Sequence, residues 1–235
     1  MRLATALSAA LLLAACSREP AVEKDFGDKV RAYLLTHPEV IEEAVVKLQE
    51  KRTVEAKAKA GDLLRKHAKE LTADKRDFVA NPNGKVTVVE FYDYRCGFCK
   101  SATPQIAELI RSDPNVRFVF KEYPIFGDVS DRAAKAMIGA KDSGKYLELH
   151  KALMAEKSLD DEALARVFAA HGLNAAAMIA KAGAKADAQI LETEKLAADL
   201  SIDGTPAFVV GDQIVHGADM PALTAAIAEA KKKST

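Results

Sequence analysis

The 235-residue chain has no tryptophan, only three cysteines and no excess of either charge, with 34 lysines and arginines against 34 aspartates and glutamates. Each shortage excludes something. A balanced charge removes the basic field that draws a chain to nucleic acid, and also the acidic excess of disordered segments. Three cysteines cannot build the multi-disulfide framework that holds small exported domains together. A zinc site made of two CxxC pairs is excluded, because Cys96-Gly97-Phe98-Cys99 has no second pair. Lys100 stands where a covalent haem motif needs histidine. No apolar run approaches the roughly 20 residues that a spanning helix requires. What the chain does have is alanine, within a 49% hydrophobic composition that suits a helix-rich protein with one core and an appendage.

Residues 1–15 carry one positive charge, Arg2, and then a short apolar stretch. That pattern predicts a secretory signal. Its end, Leu13-Ala14-Ala15-Cys16, resembles the lipobox of bacterial lipoproteins. The resemblance implies that Cys16 becomes a lipidated first residue, so that the chain is tethered to a membrane without spanning it. Residues 16–24 read as a solvated tether. The expected location is the bacterial periplasm or cell envelope, a compartment that permits disulfides. With Cys16 given to the lipid, Cys96 and Cys99 can bridge only to each other or to another molecule.

From Asp25 the pattern turns helical: Phe26, Val30, Tyr33 and Leu34 recur at spacings of three and four, as do Ile41, Val45 and Leu48. Thr36-His37-Pro38-Glu39 interrupts them, with Pro38 placed to open a second helix. Residues 49–77 are heavily charged and predict a long helical arm with Gly61 as its weak point. Such a segment, residues 25–77, cannot bury its apolar stripe alone and must pack on the rest of the chain or on copies of itself. Asn81-Pro82-Asn83-Gly84 marks a turn. Residues 85–92 then predict a buried strand, 99–112 a helix containing Pro104, and 116–121 a second strand, which together make a parallel βαβ unit. Residues 130–200 read as helices broken near Gly144, Ser158, Gly172 and Gly183. Ala207–Val210 and Gln213–His216 flank a Gly211-Asp212 hairpin turn, and Asp219 caps a last helix.

The position of Cys96, where strand gives way to helix, sets its chemistry. Unsatisfied backbone N–H groups and the positive end of the helix dipole favour the thiolate. Cys99 lies one turn later, within bridging reach and deeper in the helix. Cys96 can then attack a substrate disulfide, and Cys99 can resolve the mixed disulfide. A structural staple three residues long would close too small a loop to stabilise much. Metal is the competing use of these sulfurs, since two soft thiolates can hold Cu(I). His37, His67, His150, His171 and His216 are scattered singly and read as surface or cap residues rather than ligands. A passive scaffold would need neither cysteine.

Residues 91–100, Phe91-Tyr92-Asp93-Tyr94-Arg95-Cys96-Gly97-Phe98-Cys99-Lys100, followed much later by Gly204-Thr205-Pro206-Ala207-Phe208, resemble the thioredoxin-fold, DsbA-like disulfide oxidoreductases. The resemblance covers about residues 76–235. It implies an α/β thioredoxin fold over 78–235 with a helical insertion at about 128–200, and no cofactor beyond a redox-active Cys96–Cys99 disulfide. It further implies a cis Pro206 against the cysteines, with Thr205, Gly97 and Phe98 facing a substrate strand. Glu90, a carboxylate in an otherwise apolar strand, would shuttle the proton of Cys99, with Lys121 as its charge partner. Residues 30–44 resemble the N-terminal segment of ScsC-type proteins of copper-stress operons, which trimerises some relatives. The expected protein is an exported oxidoreductase or isomerase, homo-oligomeric in the manner of those trimers. Its partners would be cysteine-containing exported proteins and a membrane redox protein. The alternative is a Cu(I)-binding, copper-stress protein.

Overall fold

The computed structural model describes residues 24–233, apart from the side chains of residues 24, 56 and 57. The signal, the lipidation candidate Cys16 and most of the tether lie outside the described residues. The chain divides into two units, residues 1–53 and 54–235.

In the first unit, α1 (Lys24–Thr36) is followed by the opening of α2 (Glu39–Lys66). Thr36 ends α1, its hydroxyl donating to the Ala32 and Tyr33 carbonyls. Pro38 sits just ahead of α2, where its missing N–H is harmless. Phe26, Tyr33, Leu35, Ile41, Val45 and Val46 are all more than half exposed. The unit therefore presents its apolar positions instead of burying them.

The second unit is built on a five-stranded sheet ordered β1-β3-β2-β4-β5. Its strands are β1 (Phe78–Ala80), β2 (Val86–Tyr92), β3 (Val116–Glu122), β4 (Ala207–Val210) and β5 (Gln213–His216). Only β2 and β3 run parallel, joined by α4 (Gly97–Ser112). Their β-branched and aromatic residues suit a strand buried on both faces. Alternation sends Val88, Tyr92, Phe118, Phe120 and Phe208 to one core, and Val89, Phe91, Val119 and Val209 to another with Leu64 and Leu71. Between β3 and β4 lie α5 (Asp128–Ala140), α6 (Tyr146–Ala155), α7 (Asp161–Ala170) and α8 (Ala175–Asp199), and α9 (Met220–Lys233) closes the unit. Asp160, Asn174 and Asp219 each accept a backbone N–H at the start of a helix.

Two expectations need correction. Gly61 does not weaken the arm: α2 runs through it to Lys66, because Leu64 is buried against the sheet one turn later. The interruption falls instead at His67, before the short α3 (Ala68–Thr72). Residues 78–80, just past the expected arm, form an edge strand antiparallel to β3. His150 is buried and is neither a surface nor a cap residue, whereas His67, also buried, stands at the N-cap position of α3.

Helices α5 and α8 meet most closely at Gly139. A Cβ there would fall inside van der Waals distance of the Met178 carbonyl oxygen, whereas one at Gly97 would meet nothing within 4 Å. Gly139→Ala should therefore lower stability by about 2 kcal/mol through overpacking. Gly97→Ala should leave the urea midpoint unchanged. Equal midpoints for the two variants would contradict this packing.

Candidate active site

The two cysteines sit where β2 hands over to α4. Cys96 is the N-cap of α4, in extended conformation. Its backbone N–H donates to Asp93 O at 3.1 Å, and its carbonyl opens the helix by accepting from Lys100 N. Antiparallel pairing of β2 with β4 sets Phe91 opposite Ala207. That register carries the Thr205-Pro206 segment to the cysteines from more than a hundred residues away. The Thr205–Pro206 bond is cis, and the Cys96 thiol donates to Thr205 O at 3.1 Å.

The environment separates the two sulfurs. The thiol of Cys99 is the main donor that stabilises a Cys96 thiolate. Burial opposes it, and the Thr205 side chain with the Cys99 and Phe98 amides adds to it. The balance brings the Cys96 thiol down to about 5. The Thr205 hydroxyl is buried without another protein partner, which leaves it free for the sulfur. Cys99 is fully buried, and that burial, with the hydrogen bond it gives to Cys96 and the nearby Glu90, pushes its own thiol far above the ordinary range.

Glu90 projects from β2 on the face of Val88 and Tyr92, 1% exposed, with Oε2 lacking any hydrogen-bond partner. Burial raises its carboxyl to about 8, with Cys96 and Glu122 adding to the shift. The proposed pairing with Lys121 is wrong. Lys121 lies opposite Phe91 in the β2–β3 register and so points to the other face, where its ammonium meets Asp77 Oδ2 at 2.5 Å. In the β2–β3 register even positions pair with even ones, so Glu90 and Lys121 lie on opposite faces.

Gly97 is exposed, as is Phe98, whose ring is 69% accessible beside Cys96. Two functional elements had no assigned role in the sequence. Asp93 is buried, and its carboxylate accepts from the backbone N–H groups of Arg95, Ile125 and Phe126 and from the Ser130 hydroxyl. Arg95 in turn donates to Phe126 O at 2.6 Å. The loop after β3, which exposes Ile125 and Phe126, is thereby clamped to the turn that holds Cys96. The signal was a carboxylate in an aromatic run, Tyr92-Asp93-Tyr94, but apart from Arg95 its partners lie over 30 residues on. Among the described residues, no group of three or more His, Cys, Asp or Glu side chains is arranged to hold a metal ion.

The comparisons with known proteins agree with this geometry. The DSBA-like thioredoxin domain family matches residues 87–228, and the copper resistance protein ScsC N-terminal domain matches residues 23–53. A thioredoxin-like oxidoreductase from Silicibacter pomeroyi is 37% identical, with a TM-score of 0.65 over 70% of this chain and 97% of that one. A linker-deletion mutant of ScsC from Proteus mirabilis is 26% identical, with a TM-score of 0.69 over 93% of this chain and 99% of that one. Among curated proteins, the Na(+)/H(+) antiporter NhaA 3 of Salinispora tropica is 33% identical over 162 residues, 66% of this chain. The chain spans about a quarter of the length of the curated relatives it matches, 25% for each.

A thiol held at about 5 is charged above that pH and neutral below it. Its ordinary value is 9.0, so the thiolate favours the reduced form fully above pH 9 and loses that advantage as the pH falls through 5. Thiolate absorbance of the reduced protein should fall with a midpoint near pH 5, and Cys96→Ser should abolish that transition. A midpoint near 9 would contradict the site as described.

Proposed function

The chain belongs to the DsbA-like thioredoxin domain family of thiol-disulfide oxidoreductases, and from that premise we propose an exported, lipid-tethered, oligomeric enzyme that isomerises disulfides. One observation carries the reading: an acidic Cys96, 3% exposed at the start of α4, is paired with a fully buried Cys99 beside an unpartnered carboxyl.

The Cys96 thiolate attacks one sulfur of a substrate disulfide. A Cys96–substrate bond forms, the substrate bond breaks, and the electron pair leaves on the other substrate sulfur. Cys99 then gives its proton to Glu90 and attacks Cys96 Sγ. The Cys96–Cys99 disulfide forms, the second substrate thiol leaves, and the substrate has gained two electrons. In reverse the same steps oxidise a dithiol, and Glu90 returns the proton. In isomerisation a substrate thiolate, not Cys99, breaks the mixed disulfide, so no net electrons move. A membrane redox protein would reset the pair. Thr205 and Pro206, with Gly97, Phe98, Ile125 and Phe126 around the sulfur, would bind an extended substrate strand by main-chain pairing and apolar contact.

Of the segment 25–77, the part through residue 53 is where oligomerisation has support, from its exposed apolar positions and the ScsC match over residues 23–53, whereas Leu64 and Leu71 belong to the core of the second unit. Several sites on one stalk suit the repeated attack that disulfide shuffling requires. Cys16 as a lipid anchor and a periplasmic location complete the proposal. Holding Cu(I) on the same sulfurs is the second reading, supported by the name of the matching N-terminal domain.

Cys96→Ser should abolish refolding of a scrambled disulfide substrate, and Glu90→Gln should slow release of a Cys96-linked substrate by about a hundredfold. Retained turnover in Cys96→Ser would refute the mechanism. Stoichiometric Cu(I) binding without isomerase activity would favour the second reading.

Deleting residues 24–53 should lower the solution mass to that of a monomer and cut isomerase activity while leaving peptide oxidation intact. An unchanged subunit number, measured by light scattering, would remove the stalk from the account.

A further inference from the structure

On the same face of the sheet as Glu90 lies another buried carboxyl that the exchange steps do not use. Glu122 closes β3 opposite Tyr92, on the same face as Glu90, whose own register partner is Phe120 two residues earlier. Three tyrosine hydroxyls converge on its Oε1: Tyr92, Tyr146 at 2.9 Å and Tyr94 at 3.3 Å. The hydroxyls also meet one another, Tyr92 to Tyr146 at 2.8 Å and Tyr92 to Tyr94 at 3.1 Å. His150 Nδ1, on α6, lies 3.2 Å from the Tyr94 hydroxyl. Every member of this cluster is buried.

The groups facing the two carboxyls can be named from each side. Glu122 is faced by Tyr92 on β2, by Asp93 and Tyr94 in the turn beyond it, and by Tyr146 and His150 on α6. Glu90 is faced by Cys96 and Cys99 and by Glu122 on β3, and its partner on β4 is the apolar Phe208. His150 is held neutral by burial, at about 3, so no cation balances either carboxyl from this cluster. Two like charges in one dry space disfavour each other. Burial raises the Glu122 carboxyl as well, to about 8, so neither group is charged in acid. Hydrogen bonding decides which ionises first as the pH rises: Glu122 has three hydroxyl donors, whereas Glu90 Oε2 has none.

We propose that Glu122 is a positioning residue that takes the first negative charge on this face and so keeps the proton on Glu90, setting the pH at which Cys99 enters exchange. The cluster also ties α6 of the helical insertion to the turn that carries Cys96. This inference rests on the reading of Glu90 as the proton carrier for Cys99. The reaction balances as before, the Cys99 proton passing to Glu90, and Glu122 neither gains nor loses a proton in the step.

The test is the pH dependence of thiol release from a preformed Cys96–glutathione mixed disulfide, in the full chain. Glu122→Gln keeps an oxygen to accept the hydroxyls and removes the charge. Its profile should shift to lower pH, with release at pH 8 about twofold faster or more and little change at pH 6, as expected when a like charge that forms near pH 8 is taken from beside a base. Alkylation of Cys96 in the same variant should keep its own pH midpoint. Tyr146→Phe removes one donor and leaves the carboxyl, and should give a smaller shift in the same direction, which keeps the test intact if Glu122→Gln does not fold. A release profile that stays in place in both variants, or rates that fall equally at every pH, would overturn the inference. Glu90→Gln, run in parallel, separates the two failures. If its profile is also unchanged, the proton-carrier reading fails. If it changes while Glu122→Gln does not, only the role of Glu122 fails.

Discussion

A thiolate in a largely dry site has to be met by donors that stay put, and the rest of this structure follows from that need. Cys96 meets it with the first turn of α4 on one side and the Thr205-Pro206 segment on the other. Neither half is sufficient. The helix start belongs to the β2–α4 junction, and Thr205 arrives only because β4 pairs antiparallel with β2, Phe91 against Ala207. The apolar residues of β2 and β4 drive that pairing, so the hydrophobic core and the reactive sulfur share one cause.

The same burial creates the site's second property. Carboxyls and thiols removed from water resist ionisation. On the sulfur face of the sheet, Cys99, Glu90 and Glu122 are all shifted toward their neutral forms, mainly by burial. On the opposite face, Lys121 and Asp77 resolve the problem as an ion pair. One face is thus neutralised by a countercharge, and the other holds protons that can move. The clamp built by Asp93 and Arg95 keeps the neighbouring loop, with Ile125 and Phe126, close to the mobile part of the chemistry.

What could be read in the sequence was local or periodic. The β-branched and aromatic run Val86–Tyr92, the CxxC at a strand–helix junction, the Gly211-Asp212 turn and the Asp219 cap each state their geometry within a few residues. The cis bond at Pro206 came from family resemblance, since nothing near Thr205-Pro206 states it. What could not be read depended on partners far along the chain. Phe78–Ala80 is too short to show alternation and is a strand only because β3 offers an edge. His150 looks like a surface residue until Tyr94, 56 positions away, is beside it. Lys121 was assigned to the wrong face because the β2–β3 register, which pairs Glu90 with Phe120 and Phe91 with Lys121, depends on two segments about 30 residues apart.

The most direct measurement is the structure of a trapped adduct. With Cys99 replaced by serine in the full chain, a peptide disulfide should leave its peptide joined to Cys96, running as a strand against the main chain of Thr205. A peptide joined to Cys96 but lying away from Thr205, or failure of Cys96 to form the adduct, would contradict the assignment of these two segments as the walls of one site.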